Sequence, residues 1–129
     1  MITSWLWHSL LVGAGGFLGS VCRFGAGSIV YKLLGSTTLP YGTLLVNVVG
    51  CFAIGMFGGL GDSRQVIGTE LRLFLFIGVL GGFTTFSAFG YETLALVRAA
   101  DSSRAMINVG LNVAAGLLAV WAGYGLGRS

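Results

Sequence analysis

The chain has 129 residues, of which 55% are hydrophobic and only 9% are charged. In soluble domains roughly a quarter of the residues are charged, so this composition excludes a soluble globular protein and indicates an integral membrane protein. The net charge of +3 comes from seven scattered basic residues, so nothing in the sequence supports nucleic-acid binding.

The apolar runs predict an all-α fold with a single membrane domain over residues 1–129, because each helical crossing takes roughly 20 residues. The predicted transmembrane helices cover residues 4–31, 43–60, 69–97 and 105–126. Between them lie a polar connection at 35–42, an exposed loop at 61–65 and a loop at 98–104, in which Asp101 begins a helix-capping cluster. No basic residue precedes the first apolar run, which argues against a cleaved signal peptide.

Small residues recur at four-residue spacing in every predicted crossing. The pairs are Gly15 and Gly19, Gly55 and Gly59, Gly78 and Gly82, and Gly123 and Gly127. Lipid supplies no hydrophobic force between helices, so such spacing predicts close helix packing.

Basic residues are shared equally by the two sides of the predicted membrane domain. One side collects Arg64, Arg72 and Arg128, and the other Lys32, Arg98 and Arg104, with Arg23 nearby. The positive-inside rule then gives no preferred orientation, and a chain without such a bias can insert both ways. We therefore expect an antiparallel, dual-topology homodimer about a two-fold axis in the membrane plane.

The third crossing is interrupted at its centre by two glycines and two threonines. Paired glycines weaken a helix, and opened backbone is tolerated in a membrane only beside protein or a water-filled path. A break is therefore predicted near residues 81–85. Its freed carbonyls are hard ligands, and two copies meeting at Gly81 and Thr84 would form a four-oxygen cage for Na⁺ or another hard cation.

Three asparagines lie inside the predicted crossings, where each polar side chain needs a reason. Asn47 is in the second helix, and Asn108 and Asn112 share one face of the fourth. They act either as hydrogen-bonding links between helices or as donors to an ion. Glu92, which follows the break, is expected to form a structural pair or cap.

Phe86 and Phe89 follow the break at a spacing that places them on one helix face. Phenylalanine in a membrane helix ordinarily faces lipid or the core. Aromatic rings have a positive edge, however, so edges directed into a narrow path would attract an anion weakly enough to let it leave again.

These motifs make the chain recognisable. The run Gly81–Phe89 (GGFTTFSAF), the earlier Gly42–Asn47 (GTLLVN) and the glycine-rich first helix with Arg23 closely resemble the Fluc (CrcB-type) fluoride ion channels. The resemblance covers essentially the whole chain, in motif order and in spacing.

The resemblance implies a multi-pass protein of the plasma or inner membrane that exports fluoride passively, through two antiparallel pores per dimer, and so reduces fluoride toxicity. It also implies a structural Na⁺ at the dimer centre. By the same resemblance, the backbone carbonyls of Gly81 and Thr84 hold the Na⁺, and Arg23 lies at the vestibule. The pore residues that it implies are Asn47, Phe86, Phe89, Ser87, Thr43 and Asn112.

The chain departs from the family pattern on the fourth helix. Gly116 and Val120 stand where the family carries hydroxyl residues one and two turns beyond Asn112. The polar track along this helix is therefore shortened. Ala88 also replaces a hydroxyl residue that is common between the two phenylalanines.

Other classes fit less well. A four-helix, dual-topology drug/proton antiporter is the alternative function, but it needs an acidic residue in the first helix, which has none. An enzyme is not expected, because His8 is the only histidine and no metal-ligand or nucleophile–base spacing surrounds it. Cys22 and Cys51 lie in apolar segments and are expected to be buried side chains, neither a disulfide nor a metal site.

Overall fold

The structure is a computed structural model that describes residues 2–36 and 38–129. Every regular element in these ranges is a helix. In chain order they are α1 (Ile2–Leu34), α2 (Tyr41–Arg64), α3 (Thr69–Arg72), a π-helix (Leu73–Leu80), α4 (Gly81–Phe83), α5 (Phe86–Arg98) and α6 (Ser102–Arg128).

Four helical stretches are long and apolar enough to cross a membrane: Thr3–Leu34, Tyr41–Arg64, Thr69–Arg98 and Ser102–Arg128. The third stretch combines α3, the π-helix, α4 and α5. These stretches confirm the prediction of an all-helical protein with four helices of membrane-spanning length.

The loop predicted at residues 61–65 is wrong for its first four residues, which form the last turn of α2. Two contacts with α6 hold this turn. The Tyr124 hydroxyl donates to Asp62 Oδ2 at 2.8 Å, and the Ser63 hydroxyl donates to the Gly127 carbonyl at 3.2 Å. The helix ends only at Gln65, which adopts a left-handed conformation with φ 49°.

The cap predicted for the last helix is confirmed. The Asp101 side chain accepts a hydrogen bond from the backbone N–H of Arg104 at 3.2 Å. Because this bond satisfies an amide in the first turn, α6 begins at Ser102, three residues before the predicted start.

The helices pack in two close pairs, α2 along α6, and α1 along the π-helix and α4. A Cβ built on Gly78 would lie 2.9 Å from the Cα of Gly15, which is too close for any larger residue. A Cβ would come at least as close to the backbone of a neighbouring helix at every glycine of the predicted pairs: Gly15, Gly19, Gly55, Gly59, Gly78, Gly82, Gly123 and Gly127. The predicted close packing is therefore confirmed.

A single chain buries little of its apolar surface. Among the described residues, only Val46, Leu80 and Ala105 are buried hydrophobic side chains. Most large apolar side chains point outward, as expected for helices whose solvent is lipid or a second chain. Asn108 is the one buried polar side chain of the described residues. The expected burial of the two cysteines is wrong for this chain alone, because Cys22 is exposed and Cys51 is half-buried.

Candidate functional site

Two residues in the third crossing leave the helical conformation. α4 ends at Phe83, Thr84 and Thr85 have extended backbone, with ψ 160° and 117°, and α5 begins at Phe86. The Thr85 hydroxyl accepts a hydrogen bond from the Ala88 N–H at 3.1 Å and caps the new helix. We call these two residues the extended segment.

Asn47 of α2 holds the extended segment through its side-chain amide. Its Oδ1 accepts from the Thr85 N–H at 2.9 Å, and its Nδ2 donates to the Thr85 carbonyl at 3.2 Å. In a continuous α-helix this N–H would donate to the carbonyl of Gly81. The contact with Asn47 therefore takes away the helical donor of Gly81.

Arg23 reaches the same segment from α1. Its Nη1 donates to the Thr84 carbonyl at 3.3 Å. Arg23, Thr43 and Ser87 line one open cavity of about 850 Å³. The structure thus brings together three of the predicted site residues in one cavity that the extended segment also lines.

Glu92 lies in this first cavity and is partnered by α2. The Thr43 hydroxyl donates to Glu92 Oε1 at 2.7 Å. Within residues 2–36 and 38–129, the other carboxyl oxygen is buried without a hydrogen-bond partner. The predicted structural pairing of Glu92 is therefore present through one of its two oxygens.

A second cavity of about 350 Å³ also borders the extended segment, and Thr85 lines both cavities. The second cavity contains the remaining predicted site residues: Asn47, Gly81, Thr84, Phe86, Phe89 and Asn112. All nine predicted site residues therefore lie around one short stretch of backbone, divided between two cavities.

The two phenylalanines form a tilted pair in the second cavity. Their ring centroids are 5.5 Å apart and their planes meet at 53°. Phe89 is half-buried, whereas Phe86 is 83% exposed. Most of the Phe86 ring is thus left for lipid, an ion path or a second chain to cover.

The predicted amide donors are already engaged inside the chain. Asn47 Nδ2 donates to Asn112 Oδ1 at 3.0 Å in addition to the Thr85 carbonyl. Asn112 Nδ2 donates to the carbonyl and to Oδ1 of Asn108, at 3.0 and 3.1 Å. A side-chain amide has two hydrogens, so both hydrogens of Asn47 and of Asn112 have acceptors.

Sequence reasoning missed Thr93 as a member of this arrangement. The Thr93 hydroxyl accepts from Asn108 Nδ2 at 3.0 Å and donates to the Phe89 carbonyl at 2.8 Å. The only signal in the sequence is that Thr93 follows Phe89 by four residues, where a hydroxyl can reach back to the carbonyl. Nothing in the sequence pairs it with Asn108.

Comparison with known proteins identifies the family of the chain. The family model described as CrcB-like protein, Camphor Resistance (CrcB), matches residues 10–124. A fluoride-specific ion channel FluC of Dehalococcoides mccartyi is 47% identical over 118 residues, which cover 92% of this chain and 90% of the relative. The relative of the same name from Rhizobium etli is 42% identical over 122 residues, covering 95% and 97%.

A further relative named fluoride-specific ion channel FluC, from Methylobacillus flagellatus, is 38% identical over 121 residues and covers 94% of both chains. Because these relatives are named as ion channels, the comparisons confirm that the chain is not an enzyme. The family match and the relatives together span nearly the whole length, and the chain therefore belongs to the CrcB-like family.

Proposed function

We propose that the protein is a fluoride-selective passive channel of the cell membrane, through which cytoplasmic fluoride leaves down its electrochemical gradient. Family membership and the names of the relatives support fluoride as the transported ion. One observation in the structure carries the proposal: the second cavity brings both phenylalanine rings beside the non-helical backbone of the extended segment. Export of this kind would reduce fluoride toxicity.

In this proposal the ring edges are the main attraction for the ion. The side-chain amides of Asn47 and Asn112 donate both of their hydrogen bonds to acceptors within the chain. In this proposal they shape the path but donate no hydrogen bond that would replace the water lost by the ion. The edges of Phe86 and Phe89 attract an anion only weakly. Weak attraction suits conduction, because an ion must leave a site as readily as it enters.

Ser87 and Thr43 are the proposed hydroxyl donors. The Thr85 and Ser87 hydroxyl oxygens are 3.3 Å apart, and one hydrogen bond between them uses only one of their two hydrogens. The other hydrogen is then free to point at an anion. The Thr43 hydroxyl already donates to Glu92, so it becomes a donor only when that bond opens.

The path is completed by a second copy of the chain, inserted in the opposite direction. The ring of Phe86 is exposed in the single chain, and in this proposal the second copy covers it. Hydrogen bonds from Trp7 to Glu70 and from Tyr124 to Asp62 place the amino terminus, the second loop and the carboxyl terminus on one side. Arg64, Arg72 and Arg128 then lie on one side and Lys32, Arg98 and Arg104 on the other, with Arg23 inside the first helix near the second set. This near balance of basic residues supports dual topology.

A Na⁺ at the centre of the dimer would be held by backbone carbonyls of Gly81 and Thr84 from both copies. The residues fit such an ion. The Gly81 carbonyl lacks the hydrogen bond that the Thr85 N–H would donate in a continuous helix, because that N–H donates to Asn47 instead. The Thr84 carbonyl accepts one hydrogen bond, from Arg23, out of the two that an oxygen can accept. Four such oxygens would be hard ligands for the Na⁺, and the bound ion would supply a fixed positive charge near the anion path.

Liposome flux tests the function. Purified protein is reconstituted, and fluoride and chloride efflux are measured side by side with a potassium ionophore present. Rapid fluoride efflux without chloride efflux is expected. Proton-coupled drug uptake without fluoride efflux would support the antiporter alternative and refute the channel.

Substituting the ring tests its role. We expect Phe86→Ile to abolish or strongly reduce fluoride flux while the dimer still assembles. Phe17→Ile is the matched control, because Phe17 is also highly exposed but lines neither cavity. Unchanged flux in Phe86→Ile would show that the ring edge is dispensable.

Dual topology is tested by cysteine labelling. Single cysteines are placed at Gln65 and Ser102, which lie at opposite ends of the bundle, after Cys22 and Cys51 have been replaced by alanine. Labelling of both positions from outside whole cells is expected. Labelling of only one position would contradict the antiparallel dimer.

A further inference from the structure

Asn108 joins α6 to α5 from the most buried polar position of the described chain. Its side chain is 2% exposed. Its Nδ2 donates to the Thr93 hydroxyl at 3.0 Å, and that hydroxyl donates to the Phe89 carbonyl at 2.8 Å. The link therefore ends on the backbone of one of the two ring-bearing residues.

The link is the last part of a longer chain of hydrogen bonds in which every donor points the same way. We call it the amide chain: it runs from the Thr85 N–H through Asn47, Asn112, Asn108 and Thr93 to the Phe89 carbonyl. Bonds arranged head to tail polarise one another and are stronger together than apart. The chain begins and ends on the ring-bearing part of the third crossing.

These two ends hold α5 at two points. Asn47 fixes Thr85 at the start of the helix, and Asn108 fixes Thr93, eight residues later and about 12 Å along the axis. Phe86 and Phe89 lie between them. α5 has no fully buried residue, so apolar packing alone leaves its rotation about its own axis weakly determined.

We infer that Thr93 and Asn108 are positioning residues of the ion path: their hydrogen bond fixes the rotation of α5 and thereby the direction in which the two ring edges point. The inference depends on the proposed channel function. Neither side chain is required to touch the ion, since Thr93 lines neither cavity. Losing the bond would let α5 rotate and turn the ring edges away from the path.

Thr93→Val tests the inference, because valine keeps the shape of threonine and removes its hydroxyl. Single-channel fluoride currents are recorded in planar bilayers. We expect the unitary current to fall severalfold. A tenfold fall would correspond to about 1.4 kcal/mol of added barrier to the ion. Thr93→Ser restores the hydroxyl and should recover the current, and Thr69→Val, at an exposed site of the same crossing, should leave it unchanged.

The unitary current separates positioning from folding. A residue needed only for folding would lower the number of channels and leave each channel with the wild-type current, and that result overturns the inference. If Thr93→Val does not assemble, Thr93→Ala takes its place with the same two outcomes. Wild-type protein without fluoride current would refute the proposed function itself.

A double substitution gives an independent readout. Thr93 and Asn108 act through one bond, so the variant carrying both Thr93→Val and Asn108→Ala should have the same unitary current as Asn108→Ala alone. Additive losses would show that the two residues act separately and would overturn the inference.

Discussion

Replacing Gly123 with alanine adds one methyl group where α6 touches α2. A Cβ at this position would lie 2.9 Å from the backbone nitrogen of Met56 and 3.1 Å from the carbonyl carbon of Phe52, and nearer still to the Phe52 oxygen. Carbon atoms settle at about 3.5–4.0 Å from such neighbours. The two helices must therefore separate by roughly 1 Å or more, because the contact with the Phe52 oxygen is the shortest of the three.

The size of the effect follows from what the methyl group meets. Overpacking costs about 1–3 kcal/mol when nearby side chains can adjust. Here the neighbours are backbone atoms of a helix, which cannot rotate away, so we expect the upper part of this range. Alanine also favours a helix over glycine by about 1 kcal/mol, which offsets part of the loss.

Gly125→Ala is the matched control. It makes the same substitution two residues along α6, where a Cβ would meet nothing within 4 Å. Both variants gain the same helix propensity, so the difference between their unfolding free energies isolates the contact with α2. We expect this difference to be about 2–3 kcal/mol, with Gly125→Ala equal to or more stable than the wild type.

The measurement is reversible unfolding in mixed micelles with an increasing mole fraction of dodecyl sulfate, followed by the helical circular dichroism signal. Gly123→Ala should unfold at a clearly lower fraction than Gly125→Ala. If the two variants unfold together, α2 and α6 are not in the close contact described above. Gly123 lies eleven residues, about 16 Å, from Asn112, so flux per folded protein should change less than stability.

Two further substitutions use the same unfolding and flux assays. Asn47→Ala removes three hydrogen bonds, two to Thr85 and one to Asn112; at about 0.6 kcal/mol for each interhelical bond it should cost roughly 2 kcal/mol and lower fluoride flux. The exposed Val49→Ala on the same helix should do neither, and equal behaviour of the two would contradict the role given to Asn47. Asp101→Ala removes the cap of α6 and should cost about 1 kcal/mol without changing flux per folded protein; a reduced flux would argue against a purely local cap.

The features that follow from local rules could be predicted from the sequence. In lipid every backbone polar group needs an internal partner, so long apolar runs indicate helices. Glycines four residues apart predict close approach, and Gly15 and Gly78 indeed meet across α1 and the π-helix. The site residues of the third crossing are neighbours in sequence, so one run of sequence already contained Gly81, Phe86 and Phe89.

The features that depend on which helix faces which could not be predicted in this way. The extra turn of α2 exists because Tyr124 reaches Asp62 from the other end of the chain. Asn108 and Thr93 become partners only because α5 and α6 pack together with a particular rotation. Hydropathy contains no information about that rotation, since each helix is apolar on most of its surface.

The hydrogen-bond partners of the asparagine side-chain amides decide between two roles for these residues. From sequence alone, three intramembrane asparagines are either links between helices or donors to an ion. Asn47 and Asn112 direct all their side-chain hydrogens to acceptors of the same chain, which favours the first of these roles. An anion on this path would then depend on ring edges and a spare hydroxyl, held in place by a rigid polar scaffold. Loss of a ring should therefore reduce the attraction for the ion directly, whereas loss of Thr93 should reduce it only through the direction in which the rings point.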